Sequence, residues 1–272
     1  MKLRDKLNQL KAGKKAILAA NFYNFETLSG ILQATSKVQM PIILQLSESS
    51  IRYMGLATAA NMAKTAIKEY NVEAWIHLDH GSSVEMVQQC LDEGFDSVMI
   101  DASEKSMDEN IRMTRKVISI AERYDASVEA ELGFVAKLGQ AQGTQFTQPA
   151  DAKHFVESTG VHSLAIAIGS AHGFYKQAPN LDIELLAQIS KAIPTPLVLH
   201  GSSGIPDQML LEAIRHGICK INLATETKNA FMLALKDRLK NNNEIDLRIV
   251  FPDATRAVTE LIENKLNTIN KA

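Results

Sequence analysis

Short apolar runs recur along the chain at intervals of roughly 20 to 35 residues. Each run has the length of a β-strand, and most contain β-branched residues. The segments between them have helical spacing, as in residues 84–94 and 207–217, which both end in glycine. The eight runs are KAILAAN (15–21), PIILQLS (41–47), AWIHLDH (74–80), SVMIDAS (97–103), SVEAELG (127–133), SLAIAIG (163–169), PLVLHGS (196–202) and ICKINLA (218–224).

Strands that alternate with helices predict βαβ units with parallel pairing. Eight such units in 272 residues predict an α/β fold of the (β/α)8 TIM barrel type, with extra C-terminal helices. We expect residues 1–272 to form one domain. A doubly wound open sheet is the alternative, and it is disfavoured because the count is eight and no GxGxxG opens the first helix.

Nearly every predicted strand ends in a polar residue. The carboxyl ends of all barrel strands meet at one face, and that face carries the chemistry of the fold. The pattern therefore predicts a single site built from many strands. The residues concerned are Asn21, Ser47, Asp79 with His80, Asp101, Glu131, His200 and Asn222, and His172 follows the sixth strand closely.

Three of the seven histidines form a candidate metal site. His80, His172 and His200 each follow a strand end and each precede a glycine, which lets the backbone approach a ligand closely. Three imidazoles from three strand ends are typical of a catalytic zinc site with positions left open for substrate. The remaining histidines are interpreted as structural: His77 inside a strand, and His154, His162 and His216 on helix or loop surfaces.

Four carboxylates belong to the same predicted strand ends. Asp79 adjoins His80, and a break in the pleat there would let both face the mouth. Asp79 is then a candidate general acid/base, with the alternative that it accepts a hydrogen bond from a histidine N–H. Buried carboxylates are costly when unpaired, so Asp101 and Glu131 should meet a cation or strong donors. Glu129 lies on the same side of its strand as Glu131, and a structural salt bridge is its alternative role.

Two loops have the composition of a phosphate site. HGSSGIPDQ (200–208) places glycines and serines between a strand and a helix, and INLATET (221–227) closes the eighth strand. Backbone N–H groups at the start of a helix suit a phosphate, and the loops after strands seven and eight are its usual site in barrels.

Composition narrows the range of partners. Apolar residues make up 46% of the chain, which supports a large core. The formal net charge is −2 and no basic tract stands out, which argues against nucleic acid. Neither a membrane span nor a signal peptide is visible. Cys90 and Cys219 lie in apolar segments far apart in sequence, so we expect reduced thiols and a cytoplasmic protein.

With these motifs assembled, the sequence resembles the class II, metal-dependent ketose-bisphosphate aldolases, the group of fructose- and tagatose-bisphosphate aldolases. The resemblance covers nearly the whole chain. It rests on HLDHG (77–81), GFDSVMIDAS (94–103), VEAELG (128–133), TGVHSLAIAIGSAHGFYK (159–176), PLVLHGSSGIP (196–206) and KINLATE (220–226).

The resemblance implies roles for individual residues. His80, His172 and His200 would hold the catalytic Zn²⁺, and Asp79 would be the acid/base at the substrate C4 hydroxyl. Asp101 and Glu131 match carboxylates near an alternative or second metal position. The substrate-binding positions that it implies are Asn21 facing the substrate; Gly173, Gly201, Ser202, Ser203, Asn222, Ala224 and Thr225 at the dihydroxyacetone phosphate half; and Ser47 with Arg248 at the distal phosphate, the arginine from a neighbouring subunit.

The implied activity is reversible, zinc-dependent cleavage of a ketose 1,6-bisphosphate to dihydroxyacetone phosphate and an aldehyde, without a lysine Schiff base. The resemblance also implies Na⁺ or K⁺ as an optional monovalent cation, a homodimer or homotetramer, and a place in carbohydrate metabolism such as glycolysis.

One loop departs from the family pattern. The family commonly has an acidic, glycine-rich loop after the fifth strand, with a glutamate that handles the enediolate proton. Here FVAKLGQAQGTQFTQP (134–149) leaves no Asp or Glu between Glu131 and Asp151. Gly201-Ser202 replaces a glycine pair, and Asp246-Leu247-Arg248 replaces the DPR before the last helix.

Three alternatives to the implied activity stay open. The departures favour an aldolase for a modified sugar phosphate, or a barrel that binds metal or sugar phosphate without turnover. A zinc hydrolase is disfavoured because zinc-bound water needs no phosphate loops. Retention of Asp79 favours an enzyme, since a mere binder needs no such base.

Overall fold

Eight parallel strands close into a barrel in chain order, each paired with the next and β8 paired with β1. The computed structural model describes residues 1–133, 135, 146–175 and 179–272. The predicted (β/α)8 barrel is confirmed, and all eight predicted strands are present. They are β1 (Ile17–Asn21), β2 (Ile42–Ser47), β3 (Ala74–Gly81), β4 (Ser97–Ile100), β5 (Ser127–Leu132), β6 (Ser163–Ile166), β7 (Leu197–Leu199) and β8 (Ile218–Leu223).

Helices surround the barrel. The two segments predicted from helical spacing form α5 and α9, and the glycine that ends each segment lies just beyond its helix. The predicted C-terminal addition is a long helix, α11, which packs against α2 and α10. The helices are α1 (Leu3–Ala12), α2 (Phe25–Val38), α3 (Glu48–Met54), α4 (Leu56–Tyr70), α5 (Val84–Asp92), α6 (Met107–Ala121), α7 (Pro149–Thr159), α8 (Ile183–Ala192), α9 (Asp207–Arg215), α10 (Thr225–Leu239) and α11 (Leu247–Ile269), with a short 3₁₀ helix at Glu122–Tyr124.

Successive side chains along each strand point alternately outward, into the hydrophobic core between strands and helices, and inward, into the barrel interior. In β3, Ile76 and Leu78 point outward and belong to the main hydrophobic cluster, which the strands share with the surrounding helices. The intervening His77 and Asp79 are also buried but lie on the inner side. Burying each aliphatic side chain contributes roughly 1.5–3 kcal/mol, so the outer layer supplies the stability of the fold. The interior is then free to carry polar groups.

The amino-terminal end of the barrel is closed by α1. Leu3 and Leu7 of this helix pack against Ile17, Ile43 and Trp75, which lie near the starts of β1, β2 and β3. The apolar plug leaves the opposite end, where the strands terminate, as the open mouth.

Polar caps fix the loops at that mouth. Asn24, Ser83, Ser106 and Asp182 each accept a hydrogen bond from a backbone N–H in the first turn of α2, α5, α6 and α8. Each such cap stabilises its helix by about 1 kcal/mol. The chain therefore leaves the strand ends in defined directions.

The two cysteines are buried and free. Burial raises the pKa of Cys90 to about 12 and that of Cys219 to about 11, so both thiols stay protonated near neutral pH. None of the helices in the described part of the chain is long and apolar enough to cross a membrane.

Candidate active site

The end of β3 is distorted so that two adjacent side chains face the mouth. His80 has a φ of 53°, and the β3–β4 register shifts between Leu78 and Gly81. A left-handed conformation at a residue other than glycine costs about 1–3 kcal/mol and persists where the surroundings enforce it. The distortion allows Asp79 and His80 to reach the same space, as the predicted break in the pleat requires.

The three candidate metal ligands converge. The ring centroid of His80 lies 4.9 Å from that of His172 and 4.6 Å from that of His200. The ring centroids of His172 and His200 are 5.9 Å apart. One ring nitrogen of each histidine lies within 4.8 Å of the others. The His200 Nδ1 and His80 Nε2 atoms are only 2.9 Å apart. This spacing places three nitrogen donors around one point.

Two carboxylates determine which ring nitrogens of His80 and His200 face the common point between the three histidines. The Nδ1 atom of His80 lies 3.0 Å from Asp101 Oδ2, and the Nε2 atom of His200 lies 2.8 Å from Glu129 Oε1. An ionised carboxylate only accepts, so these nitrogens carry the protons and the opposite nitrogens are left for a cation. Carboxylate–histidine pairs of this kind usually orient metal ligands. Burial opposes ionisation of Asp101, but the His80 hydrogen bond and charge hold its pKa well below the usual range.

The donor set fits a metal ion. The buried His172 Nε2 and Glu131 Oε2 atoms have no hydrogen-bond partner among the described residues. Burial lowers the pKa of His80, yet the carboxylates of Asp79, Asp101 and Glu131 outweigh it and raise that pKa to about 9. The negative charge that favours protonated His80 also favours a divalent cation at the same position. His80, Asp101 and Glu131 form a second group of suitable spacing, matching the predicted second metal position.

Asp79 is held as an ionised carboxylate beside the histidines. It is 7% exposed and accepts hydrogen bonds from Asn21 Nδ2 at 2.8 Å and Asn222 Nδ2 at 3.3 Å. Burial would raise its pKa, but the charges of His80 and His200 and the Asn21 bond lower it to about 2.

The alternative role of Asp79, as acceptor for a histidine N–H, does not match these contacts. The His80 Nε2 atom lies 3.8 Å from Asp79 Oδ1, beyond hydrogen-bond distance. The N–H groups of His80 and His200 are instead held by Asp101 and Glu129.

Gln45 was not anticipated from the sequence. Its Nε2 atom donates to Asn21 Oδ1 at 2.9 Å, and the side chain is fully buried. The contact makes the Asn21 carbonyl face β2 and its amino group face Asp79. A lone amide in the otherwise apolar PIILQ, two residues before Ser47, is the signal that could have identified it.

A second unanticipated residue is Lys220, in the middle of β8. Its Nζ atom lies 2.8 Å from Glu129 Oε2, which confirms the salt bridge considered as an alternative role for Glu129. Glu129 also contacts His200, so it is more than an isolated structural pair. Lys220 precedes Asn222 by two residues, and this same-face spacing pointed to the interior.

A pocket lies over the histidines. The β7 and β8 loops that form one wall are tied together, since Ser202 Oγ donates to the Asn222 carbonyl at 2.5 Å and Ser203 Oγ accepts the Glu226 N–H at 3.2 Å. Every residue that lines this pocket belongs to the predicted site: Asn21, Asp79, His172, Gly173, His200, Gly201, Ser203, Asn222, Ala224 and Thr225.

The glycine after the third histidine has a steric cause. Gly201 has a φ of 66°, and a Cβ atom there would clash with the backbone of Ala171 in the neighbouring loop. The glycine is therefore needed for the close approach of the β6 and β7 loops, rather than for approach to a ligand alone.

Two predicted contacts to a distal phosphate lie outside this pocket. The Ser47 hydroxyl accepts the Ser50 N–H and caps α3. The Arg248 side chain is 89% exposed at the start of α11 and pairs with Asp246 at 2.7 Å. The role of both residues, and the origin of Arg248 from a neighbouring subunit, stay predictions.

Most of the altered loop after β5 lies outside the described residues, including Lys137, Gln140, Gln142, Thr144 and Gln145. Thr147 is described, and its hydroxyl donates to the Leu132 carbonyl at 2.5 Å and accepts the Ala167 N–H at 2.9 Å. This threonine therefore anchors the end of the loop to β5 and β6.

Histidines outside the site have structural contacts. His77 is buried, as predicted, and lies 2.9 Å from Ser97 Oγ. His162 is less superficial than predicted: it is half-buried, and its Nδ1 accepts the Val128 N–H at 2.9 Å. Burial, and then the charge of Arg4, lowers the pKa of His162.

Comparison with known proteins gives consistent results. The family described as fructose-bisphosphate aldolase class-II matches residues 1–272. The crystal structure of the YdjI aldolase from Escherichia coli K12 is 32% identical, with a TM-score of 0.89 over 98% of this chain and 96% of that chain. Fructose-bisphosphate aldolase from Campylobacter jejuni has a TM-score of 0.86 over 98% and 94% of the two chains, and at 24% identity it supports the fold.

Proposed function

The chain belongs to the class II fructose-bisphosphate aldolases, and from that premise we propose that it is a zinc-dependent enzyme that reversibly cleaves a ketose 1,6-bisphosphate to dihydroxyacetone phosphate and an aldehyde. Fructose- and tagatose-bisphosphate are the leading substrates. Membership of the family makes the protein an aldolase, a carbon–carbon lyase of a metal-dependent group acting on sugar phosphates. The observation that carries the finer proposal is the convergence of three strand-end histidines beside an ionised Asp79.

His80, His172 and His200 would hold the Zn²⁺. Three neutral imidazoles leave open coordination positions, as catalytic zinc sites require. A Zn²⁺ bound there would supply Lewis-acid polarisation of the ketose carbonyl. Asp101 and Glu129 would keep two of the imidazoles in the ligating tautomer, because each accepts the N–H on the far side of the ring.

Asp79 would remove the proton of the C4 hydroxyl. The C4 oxygen then forms the aldehyde carbonyl as the C3–C4 bond breaks, and the bonding electron pair passes to C3 and the C2 carbonyl as an enediolate. Protonation at C3, with the proton coming ultimately from water, gives dihydroxyacetone phosphate. Its carboxylate is already ionised and is aimed by two amide donors, Asn21 and Asn222. The buried Asn222 Oδ1 has no partner among the described residues and could accept a substrate hydroxyl. In the synthetic direction, the protonated Asp79 would return the proton to the new alkoxide.

The phosphate of the dihydroxyacetone half would bind between the β7 and β8 loops. Gly201, Ser203, Ala224 and Thr225 line the pocket there, and α10 begins at Thr225. A helix amino terminus with adjacent glycine and serine N–H groups is a favourable site for an anion. The position, after strands seven and eight, is the usual phosphate site of barrels.

A second candidate substrate is a ketose phosphate with a different distal group. It is favoured by the absence of Asp and Glu between Glu131 and Asp151, and by the position of Ser47 outside the pocket. A barrel that binds without turnover is disfavoured, because a binder needs no carboxylate oriented by two amides.

We further propose a cytoplasmic homodimer or homotetramer in carbohydrate metabolism. Two free, buried thiols fit a reducing compartment. Ile245, Leu247 and Ile249 are 90%, 61% and 48% exposed near the start of α11, an apolar surface suited to self-association.

The test is a cleavage assay on a panel of ketose phosphates with purified, zinc-loaded protein, following triose phosphate release. EDTA should abolish cleavage and Zn²⁺ should restore it. Preference for a substrate without a distal phosphate would favour the second candidate. Covalent trapping of substrate on a lysine by borohydride would contradict the metal-dependent mechanism.

A further inference from the structure

A layer of buried polar groups lies directly below the three histidines. Lys220 from β8, Glu129 from β5 and His77 from β3 are each no more than 1% exposed. Lys220 Nζ lies 2.8 Å from Glu129 Oε2 and 3.3 Å from His77 Nε2. Three polar side chains from three strands therefore meet in the middle of the barrel, where branched aliphatic residues are usual.

The direction of each hydrogen bond in this layer is determined by its donor. A lysine ammonium only donates, so His77 Nε2 accepts and His77 Nδ1–H donates to Ser97 Oγ at 2.9 Å. Burial, and then the charge of Lys220, lowers the pKa of His77 to about 3, so this imidazole stays neutral. The layer then contains one positive charge, on Lys220, and one negative charge, on Glu129.

Glu129 connects the layer to the metal site. One carboxylate oxygen faces Lys220 and the other faces His200 Nε2 at 2.8 Å. With both oxygens engaged, the carboxylate cannot rotate without losing a charge-assisted bond.

Stability alone does not account for such a pair. A buried ion pair is often no more stabilising than well-packed apolar residues of the same volume, because both charges must be desolvated. Apolar side chains, among them Ile43 and Trp75, fill the amino-terminal end of the same barrel. The buried charges of Lys220 and Glu129 are better explained by their effect on the orientation of His200.

We propose that Lys220 and Glu129 are positioning residues that fix the tautomer and orientation of His200, so that its Nδ1 atom points to the metal. The inference rests on the proposed function, since it requires that His80, His172 and His200 bind Zn²⁺. Glu129 acts on His200 directly, and Lys220 acts through Glu129. Neither residue lines the substrate pocket.

Three variants separate positioning from packing. Glu129→Gln keeps the shape but can present an amino group to His200, which would favour the wrong tautomer. Lys220→Met removes the cation that orients Glu129. The double variant Glu129→Met/Lys220→Met leaves no unpaired charge, which protects the fold, and it leaves no acceptor for the His200 N–H. Ser97→Ala is the matched control, because it changes the far end of the same layer without touching Glu129.

The measurements are Zn²⁺ affinity by chelator competition, the visible spectrum of the Co²⁺-substituted protein, and thermal melting of the metal-free protein. We expect Glu129→Gln to weaken Zn²⁺ binding by about 10–100-fold, the usual effect of losing an outer partner of a ligand. Lys220→Met should weaken it less. The double variant should match Glu129→Gln alone, because in both the His200 N–H has lost its acceptor and the two residues act through that one contact. The Co²⁺ bands should change in all three variants and not in Ser97→Ala.

The outcomes distinguish this inference from the proposed function. A folded double variant that binds Zn²⁺ within twofold of wild type, with unchanged Co²⁺ bands, would overturn the positioning role and leave the aldolase proposal intact. A wild type that binds Zn²⁺ but cleaves no ketose phosphate would overturn the proposed function, while loss of affinity in Glu129→Gln would still support the positioning role.

Discussion

Replacing Asp79 with asparagine isolates the acid/base step. Asparagine keeps the size of the side chain, but it offers one acceptor oxygen where the carboxylate offers two. Asn21 Nδ2 and Asn222 Nδ2 both donate to Asp79, so one of these donors loses its partner. The unpaired donor should destabilise the fold by about 1–3 kcal/mol.

The effect on turnover should be far larger than the effect on metal binding. Loss of a positioned general acid/base lowers kcat by roughly 10²–10⁴-fold, which is about 2.7–5.4 kcal/mol of activation free energy. Metal binding loses only a neighbouring charge, because the Asp79 Oδ1 atom lies 3.8 Å from His80 Nε2 and is not required as a ligand. The three imidazoles remain, so the site should still fill at saturating Zn²⁺.

The assay measures kcat for ketose bisphosphate cleavage at saturating Zn²⁺, together with metal content by elemental analysis. Asp92→Asn, a change at an exposed carboxylate on α5, controls for loss of one charge. We expect one Zn²⁺ per chain in Asp79→Asn and a kcat at least 100-fold below that of the control. If Asp79→Asn binds no Zn²⁺, Asp79 is a ligand or its support, and the acid/base role is wrong.

Three further predictions address the loop, the amide pair and pH. The altered loop (134–148) has no Asp or Glu, so protonation of the enediolate should be slow. Exchange of the triose phosphate C–H proton with deuterated water should then be slow relative to bond cleavage, and Leu138→Glu should raise the exchange rate. Wild-type exchange as fast as cleavage would refute the idea. Gln45→Leu should free the Asn21 amide to flip and lower kcat by about tenfold with Zn²⁺ affinity unchanged, since a hydrogen bond is worth roughly 1 kcal/mol; an unaltered kcat would exclude this role. The pKa of His162 is lower in the folded protein than its unfolded value of about 6.5. Its contribution to the free energy of unfolding is therefore complete above about pH 6.5 and declines below that pH by at most about 1.4 kcal/mol per pH unit. In urea titrations between about pH 6.5 and 5, His162→Gln should lose less stability than wild type, and an identical dependence of stability on pH would contradict this prediction.

Local sequence patterns were sufficient to predict the barrel and the polar strand ends of the site, whereas the individual substrate-binding positions of the pocket followed from the family resemblance. Strand-length apolar runs alternate with helical segments eight times, and parallel pairing of consecutive units leaves few other closed arrangements. The carboxyl ends of the strands then lie at one face whatever the register. Residues at strand ends, such as His80 and Asn222, could therefore be assigned to a common site from position alone.

Contacts across the barrel interior were not predictable in the same way. Lys220 meets Glu129 because β5 and β8 have a particular stagger when the sheet closes, and no pattern within either strand specifies that stagger. Lys220 lies inside an apolar run, away from the strand ends whose polar residues mark the site. Gln45 was missed for the same reason: its partner, Asn21, lies on the neighbouring strand at the paired register position.

Successive inward positions of single strands explain how the barrel keeps reactive groups available at the mouth. In β3, the inward side chains are Trp75, His77 and Asp79, and each step of two residues rises by roughly 6.6 Å. The first contributes to the apolar plug and the second to the polar layer around Lys220. The charges of that middle layer are satisfied within it and by His200, so Lys220 contacts Glu129 and His77 rather than Asp79 above it. Among the described residues, Asp79 accepts its hydrogen bonds from two neutral amides, so it retains its charge and oxygen lone pairs for the substrate proton.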